Sequence, residues 1–317
     1  MTPKVLVSDK LSPQGLAVLQ AAPSVLSVDV RVGLDPAALL QIIPEYDGLV
    51  IRSATKVTPA VLAAASRLKV VGRAGIGVDN VDLAAASARG VRVMNTPDGN
   101  VVTTAEHALA LMFAVARKIP QASASMRAGA WEKTKFQGRE LFGKTIGIIG
   151  LGNIGRIVAD RARGLRMRVI ATDPWVTPRK GQELGVEMVD LDTLLATADV
   201  VTLHVPAVDW TKGILSAANV AKLKKGAILI NAARVGLVDE RAVAEAVRSG
   251  QLYGAAFDVF AEEPLAKDSP LLGVDNIVLT PHLGASTDEA QDIVAVMVAE
   301  QVVEYFRTGK ARNVVNP

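Results

Sequence analysis

A chain of 317 residues without cysteine, half of it apolar and about a fifth charged, describes a globular protein that buries roughly three quarters of its unfolded surface. That composition excludes disorder, collagen and a disulfide scaffold. The balance of 35 basic against 32 acidic side chains is a formal +3, with basic runs no longer than pairs such as Lys224 and Lys225 and only twelve aromatic residues, so nothing marks a nucleic-acid binder.

The first ten residues run directly into an apolar strand and lack the stretch that a secretion signal requires, so a cytoplasmic location is expected. Short Val/Ile/Leu runs then alternate with Ala-rich helical stretches, the pattern of βαβ units feeding a parallel sheet. Strands are expected at 5–8, 28–32, 48–52, 70–72 and 91–94, with helices between them such as 13–20 and 59–65. Residues 100–118 read as one long helix that bridges two halves or carries a subunit contact. Its apolar run, 108–116, is far below the ~20 residues that span a bilayer. A second strand series follows at 145–150, 168–172, 200–204, 227–231, 255–258 and 276–280, and a final helix at 287–307 has the length to return to the first half. The expected class is α/β, with two doubly wound parallel sheets of Rossmann type.

Gly150-Leu151-Gly152-Asn153-Ile154-Gly155 follows the apolar strand at 145–149 and opens a helix near Asn153. In that setting the first glycine permits a tight turn, the second lets a pyrophosphate approach the backbone, and the third permits close packing; the phosphate charge sits on free N–H groups. Asp173 ends the next strand, where a carboxylate accepts bonds from a ribose diol and repels a 2′-phosphate, so NAD is expected over NADP. Arg179 and Lys180, just beyond, are the cations able to counter that preference.

Ligands of such sheets bind outside the carboxyl ends of the strands. Arg234, Glu263 and His282 follow three of those ends. Oxidation of a secondary alcohol needs a group to take the hydroxyl proton while hydride leaves carbon, and an imidazole suits that role near neutrality. His282 is the candidate, Glu263 its orienting acid, and Arg234 the fork for a substrate carboxylate. Alternatively Arg234 pairs with Asp239 or Glu240, and Glu263 is a solvated acid beside Glu262. His204 is expected to line the cofactor cleft and His107 to be structural. In the first half, Arg52 and Arg73 are expected at neighbouring strand ends, suited to a phosphate, with Gly75 giving a close backbone turn and Lys133 adding charge.

With these residues assembled, the sequence resembles the D-2-hydroxyacid dehydrogenase family, and within it the D-3-phosphoglycerate dehydrogenase branch. The resemblance rests on residues 51–58, 71–82 and 95–100, the glycine loop, Asn231-Ala232-Ala233-Arg234, Asp258 to Pro264, and Pro281-His282-Leu283-Gly284. It implies that Arg234, Glu263 and His282 are catalytic and selects Glu263 over Glu262. It implies that Arg52, Arg73, Asn100 and Lys133 contact substrate, that Asp173 holds the adenosine ribose, and that Thr104, Ala232 and Asp258 line the NAD site. It further implies an NAD-binding domain at 97–286 inside a split substrate domain, 1–96 with 287–317, a homodimer built on the cofactor domains, and oxidation of 3-phosphoglycerate as the first step toward serine. The alternatives are a glyoxylate/hydroxypyruvate reductase or D-lactate-type dehydrogenase and, in another class, an NAD-sensing corepressor-like scaffold. Many members of the branch continue into regulatory domains that sense serine, whereas this sequence stops at Pro317, as a short form or a catalytic portion. Lys133 stands where an arginine is expected, a point charge without a bidentate fork.

Overall fold

The computed structural model describes residues 2–316. They form two compact units, one from the residues up to Asn100 together with those from Ala285 onward, the other from Val101 to Gly284.

The first unit alternates β1 (Lys4–Val7), α1 (Pro13–Gln20), β2 (Ser27–Val30), α2 (Pro36–Ile42), β3 (Gly48–Ile51), α3 (Pro59–Ala64), β4 (Val70–Arg73), α4 (Leu83–Ala88) and β5 (Arg92–Met94). The strands pair in parallel in the order β2-β1-β3-β4-β5. Strands covered on both faces need near-continuous apolar residues, which Gly48-Leu49-Val50-Ile51 supplies, whereas the edge strand β2 keeps Asp29 and is half exposed. Three helices start on one device: a proline in the first turn behind a cap, with Ser12, Asp35 and Thr58 side chains accepting from the N–H of Gly15, Ala38 and Val61.

The second unit opens with α5 (Val101–Arg117) and α6 (Ile119–Arg127). The expected long helix stops at Arg117 because Lys118 takes a left-handed φ of 51°. α5 lies inside this unit, packed on its sheet and on α7. Then follow β6 (Thr145–Ile149), α7 (Asn153–Gly164), β7 (Arg168–Thr172), α8 (Pro178–Glu183), β8 (Glu187–Met188), α9 (Leu191–Thr197), β9 (Val200–Leu203), α10 (Ala217–Ala221), β10 (Ala227–Asn231), α11 (Glu240–Arg248), β11 (Leu252–Phe257) and β12 (Ile277–Leu279). β12 is shorter than expected because Asn276 sits at φ 63° and its side-chain amide donates to the Tyr253 carbonyl at 2.7 Å. All neighbours are parallel, in the order β12-β11-β10-β9-β6-β7-β8. The chain builds outward from β6 through β7 and β8, then restarts on the other side of β6 with β9. The point where the order reverses, between β6 and β9, is where such sheets open a crevice at the strand ends.

Helix α12 (Asp288–Thr308) belongs to the first unit, where Val294, Val298 and Val302 are buried against α1 and the sheet. Each buried valine contributes about 1.5–2 kcal/mol, so this face outweighs the exposed Gln14–Asp292 hydrogen bond, which is worth well under about 1 kcal/mol. Among the described residues no helix is long and apolar enough to cross a membrane.

Candidate active site

The glycine loop lies at the switch point. Gly150 has φ 95°, and a Cβ there would meet the His204 carbonyl oxygen at 2.8 Å. A Cβ on Gly155 would stand 2.1 Å from the Gly150 carbonyl oxygen, so the first turn of α7 folds directly back onto the loop. Gly152 differs: nothing lies within 4 Å of its Cβ position, and as the residue before α7 it brings no side chain to cap the helix. Open space at the start of a helix that no cap side chain covers is what a pyrophosphate needs. Asp173 ties the ends of β6 and β7 together, its Oδ2 accepting from the Leu151 N–H and its Oδ1 from the Trp175 N–H, both at 2.8 Å. Each oxygen retains a lone pair for a ribose hydroxyl. Arg179 and Lys180 are both paired with Glu183 on their own helix, at 3.4 and 3.1 Å. These residues fit an NAD adenosine and pyrophosphate.

On the other side of the switch the ends of β10, β11 and β12 carry Arg234, Glu263 and His282. Because the strands are parallel, all three emerge at the edge that carries Gly150, and β10 stands two strand spacings, about 10 Å, from β6. His282 Nδ1 lies 2.8 Å from Glu263 Oε2, and the other carboxylate oxygen accepts from the Phe260 N–H at 3.2 Å. A carboxylate accepts only, so Nδ1 carries the proton and Nε2 presents its lone pair. The imidazole is 54% exposed and so accessible to a small molecule. His282 itself has φ 54°, a conformation that costs a non-glycine residue about 1–3 kcal/mol and marks functional turns. Arg234 is held by its own turn, with Nη1 donating to the Ala233 carbonyl at 2.7 Å and Asn231 bonding both the Arg234 carbonyl and the Ala233 N–H. Ala232 is buried within that turn.

Asp258, expected to line the NAD site, is 1% exposed and turned inward. Its Oδ1 receives His107 Nε2 at 3.1 Å, the Thr280 hydroxyl at 2.6 Å and the Leu283 N–H at 2.7 Å, and its Oδ2 receives the Gly284 N–H at 2.8 Å. Burial pushes such a carboxyl up, but the bonds from His107, Thr280 and Leu283 outweigh it and hold Asp258 below the usual carboxylate range. Thr104 is buried on α5, close to Gly284. His107 is therefore tied to the strand-end cluster; its sequence signal was only a histidine inside a long Ala/Leu-rich helix. His204, at the end of β9, has Nε2 3.0 Å from Thr202 Oγ1, and burial pulls its imidazole down to about 4, so it is neutral near pH 7.

In the first unit, Arg52 follows β3 and Arg73 ends the adjacent β4, paired in register with Ile51, so both stand at one sheet edge. Asp9 fixes the Arg52 turn, accepting its N–H at 2.6 Å and the Thr55 hydroxyl at 2.6 Å. Burial lowers the Arg52 pKa, with Asp9 opposing, and the guanidinium stays charged. Gly75, at φ 137°, has the Arg73 Nη1 only 1.6 Å from where a Cβ would be; the missing side chain is what gives that guanidinium its place. Asn100 is buried at the end of the unit's first segment. Lys133 lies in the second unit on an exposed 3-10 turn, Lys133–Phe136.

Residues 109–284 match the family model described as D-isomer specific 2-hydroxyacid dehydrogenase, NAD binding domain. The chain is 47% identical over 313 residues to a D-3-phosphoglycerate dehydrogenase of Archaeoglobus fulgidus, covering 99% of this chain and 59% of the relative. It is 50% identical over 300 residues to that of Mycobacterium tuberculosis, covering 95% and 56%. It thus spans between half and three fifths of the curated relatives it matches. Among solved structures, the TT0316 protein of Thermus thermophilus aligns with a TM-score of 0.89 at 37% identity, covering 98% of this chain and 99% of that one.

Proposed function

Because the chain belongs to the D-isomer specific 2-hydroxyacid dehydrogenase family, we propose that it oxidises D-3-phosphoglycerate to 3-phosphohydroxypyruvate with NAD. The observation that carries the reading is the 2.8 Å bond from His282 Nδ1 to Glu263, at the same sheet edge as a glycine loop with room for a pyrophosphate. The substrate follows from the names of the relatives and from two arginines at one edge of the first unit's sheet.

In this reading Arg234 grips the substrate carboxylate through its planar fork and fixes which face of the C2 carbon is presented. His282 Nε2 takes the proton of the C2 hydroxyl, and the imidazolium formed is stabilised by Glu263 through Nδ1–H. NAD held at the glycine loop would supply the acceptor for the C2 hydride. Arg52 and Arg73 receive the phosphate. In the reverse direction His282 returns the proton to the ketone oxygen.

The test is NADH absorbance with 3-phosphoglycerate, glycerate and D-lactate offered separately. His282→Ala is expected to lower kcat by about 10²–10⁴ with NAD affinity unchanged. Arg52→Ala is expected to reduce kcat/KM for phosphoglycerate by about 10- to 100-fold, the loss of a charged hydrogen bond, with little change for glycerate. Equal losses for both substrates would remove the phosphate assignment. Absence of turnover with every hydroxy acid, alongside tight NAD binding, would favour the scaffold reading instead.

The reading includes a homodimer. Its support is the stretch 119–142 of the second unit, which leaves four large apolar side chains exposed: Ile119 and Met126 of α6, both more than half exposed, Trp131 at 80% and Phe142 at 69%. A stretch so rich in exposed apolar side chains is what an interface covers.

A further inference from the structure

His282 is a non-glycine residue held in a left-handed conformation, and a strained turn persists only where its surroundings over-determine it. What surrounds it is Asp258. That one carboxylate binds residues on both sides of His282: the Thr280 hydroxyl before it, and the Leu283 and Gly284 N–H groups after it. The approach is so close that a Cβ on Gly284 would stand 3.1 Å from Asp258 Oδ2. The clasp is completed from a different element, α5, where His107 Nε2 lies 3.1 Å from Asp258 Oδ1 and 3.2 Å from the Thr280 hydroxyl oxygen. Because the carboxylate only accepts and the threonine hydroxyl already donates to it, His107 Nε2 carries a proton and delivers it to this pair. The neighbouring acid on the helix, Glu106, is turned to Arg161 and does not compete.

We propose that His107 is a positioning residue for the catalytic turn, acting through Asp258 and Thr280 to fix the ring of His282. Packing alone does not explain an imidazole here: α5 buries its face with Ala105, Ala108, Leu109 and Met112, and an apolar residue would pack as well at position 107. What the imidazole adds is a donor to a buried anion. Without it Asp258 is left under-compensated, and a half-satisfied buried carboxylate is relieved by rotating or by taking a proton, either of which loosens 280–284. The bonds from His107 and Thr280 are among those that keep this carboxylate ionised against its burial.

The inference rests on the reading of His282 as the proton acceptor, so His282→Ala is measured alongside. The test variants are His107→Leu, of similar size without a donor, and His107→Gln, which retains an N–H; His107→Met replaces His107→Leu should the latter not fold. The chain has three histidines, so the ring signals of the 317-residue protein without cofactor are assignable by NMR from single substitutions. Expected for His107→Leu are a broadened or doubled His282 signal, a kcat lower by about 10- to 100-fold, the loss typical of a reacting group misplaced by about 1 Å, and KM and NAD affinity within about twofold of wild type, inside the small effects of a site that keeps its binding contacts. His107→Gln restores both the signal and kcat. A wild-type His282 signal and kcat in His107→Leu, with His282→Ala inactive, would overturn this inference alone. A His282→Ala protein that keeps its turnover would overturn the reading of the site and this inference with it. A His107→Gln protein as impaired as His107→Leu would show that the donor is not what matters.

Discussion

At the scale of single residues, the three histidines show how one side-chain type takes different roles from its surroundings. His282 faces solvent with a carboxylate on Nδ1, His107 donates to a buried carboxylate, and the His204 ring bonds the Thr202 hydroxyl. His204 has a pH consequence. Its folded-state value, about 4, lies below the ordinary 6.5, so below pH 6.5 the unfolded chain takes up a proton that the folded one refuses. The stability attached to this group is present above pH 6.5 and is lost as pH falls from 6.5 toward 4, with a slope approaching about 1.4 kcal/mol per pH unit. His204→Gln does not titrate, so between pH 7.5 and 5.0 the wild type is expected to lose about 1–2 kcal/mol more than the variant. Urea unfolding of both proteins at the two pH values measures this; parallel losses would mean that His204 charges in the fold.

At the scale of elements, the loop between β6 and α7 separates two uses of glycine. Gly155 is required by the fold, since an alanine methyl would stand 2.1 Å from the Gly150 carbonyl oxygen. Gly155→Ala is expected to destabilise by about 2–4 kcal/mol and to abolish NAD binding with it. Gly152 has an ordinary φ of −74° and open space around it, so Gly152→Ala is expected to stay within about 1 kcal/mol of wild type, the range of a Gly-to-Ala change at a helix cap. Its methyl group, however, would occupy the space left for phosphate, and NAD affinity is expected to fall about tenfold or more, the equivalent of about 1.4 kcal/mol. Thermal melts with and without NAD distinguish the two: Gly155→Ala lowers both, whereas Gly152→Ala lowers only the NAD-induced shift. Close approach also governs α12, which meets α1 where a Cβ on Gly15 would stand 2.6 Å from the Ala295 methyl.

At the scale of the whole molecule, each unit is a parallel sheet with helices on both faces, and only the second has the order reversal next to a glycine loop. The second also leaves Ile119, Met126, Trp131 and Phe142 exposed. If these residues join two copies, Trp131→Glu combined with Met126→Glu places charges in a desolvated interface, a change that costs several kcal/mol. The double variant is expected to elute as a monomer in light-scattering chromatography while its circular dichroism stays that of wild type. A wild-type protein that is monomeric at micromolar concentration would remove the dimer from the reading.

The sequence by itself determined the α/β class, the two strand series, the glycine loop and the candidate residues at the strand ends, because these follow from local periodicity, cap and turn residues and short spacing. Arg234, Glu263 and His282 were legible as residues that follow successive strands. Tertiary structure alone decided that Glu263 Oε2 meets His282 Nδ1, that Asp258 turns into the core rather than outward, and that His107 reaches Asp258 across 151 positions of sequence. It also decided that α5 packs inside the second unit. Hydrogen bonds between distant segments depend on how strands order in the sheet and how a helix settles on it, and that order is selected by packing summed over a whole core, which no single stretch of sequence encodes.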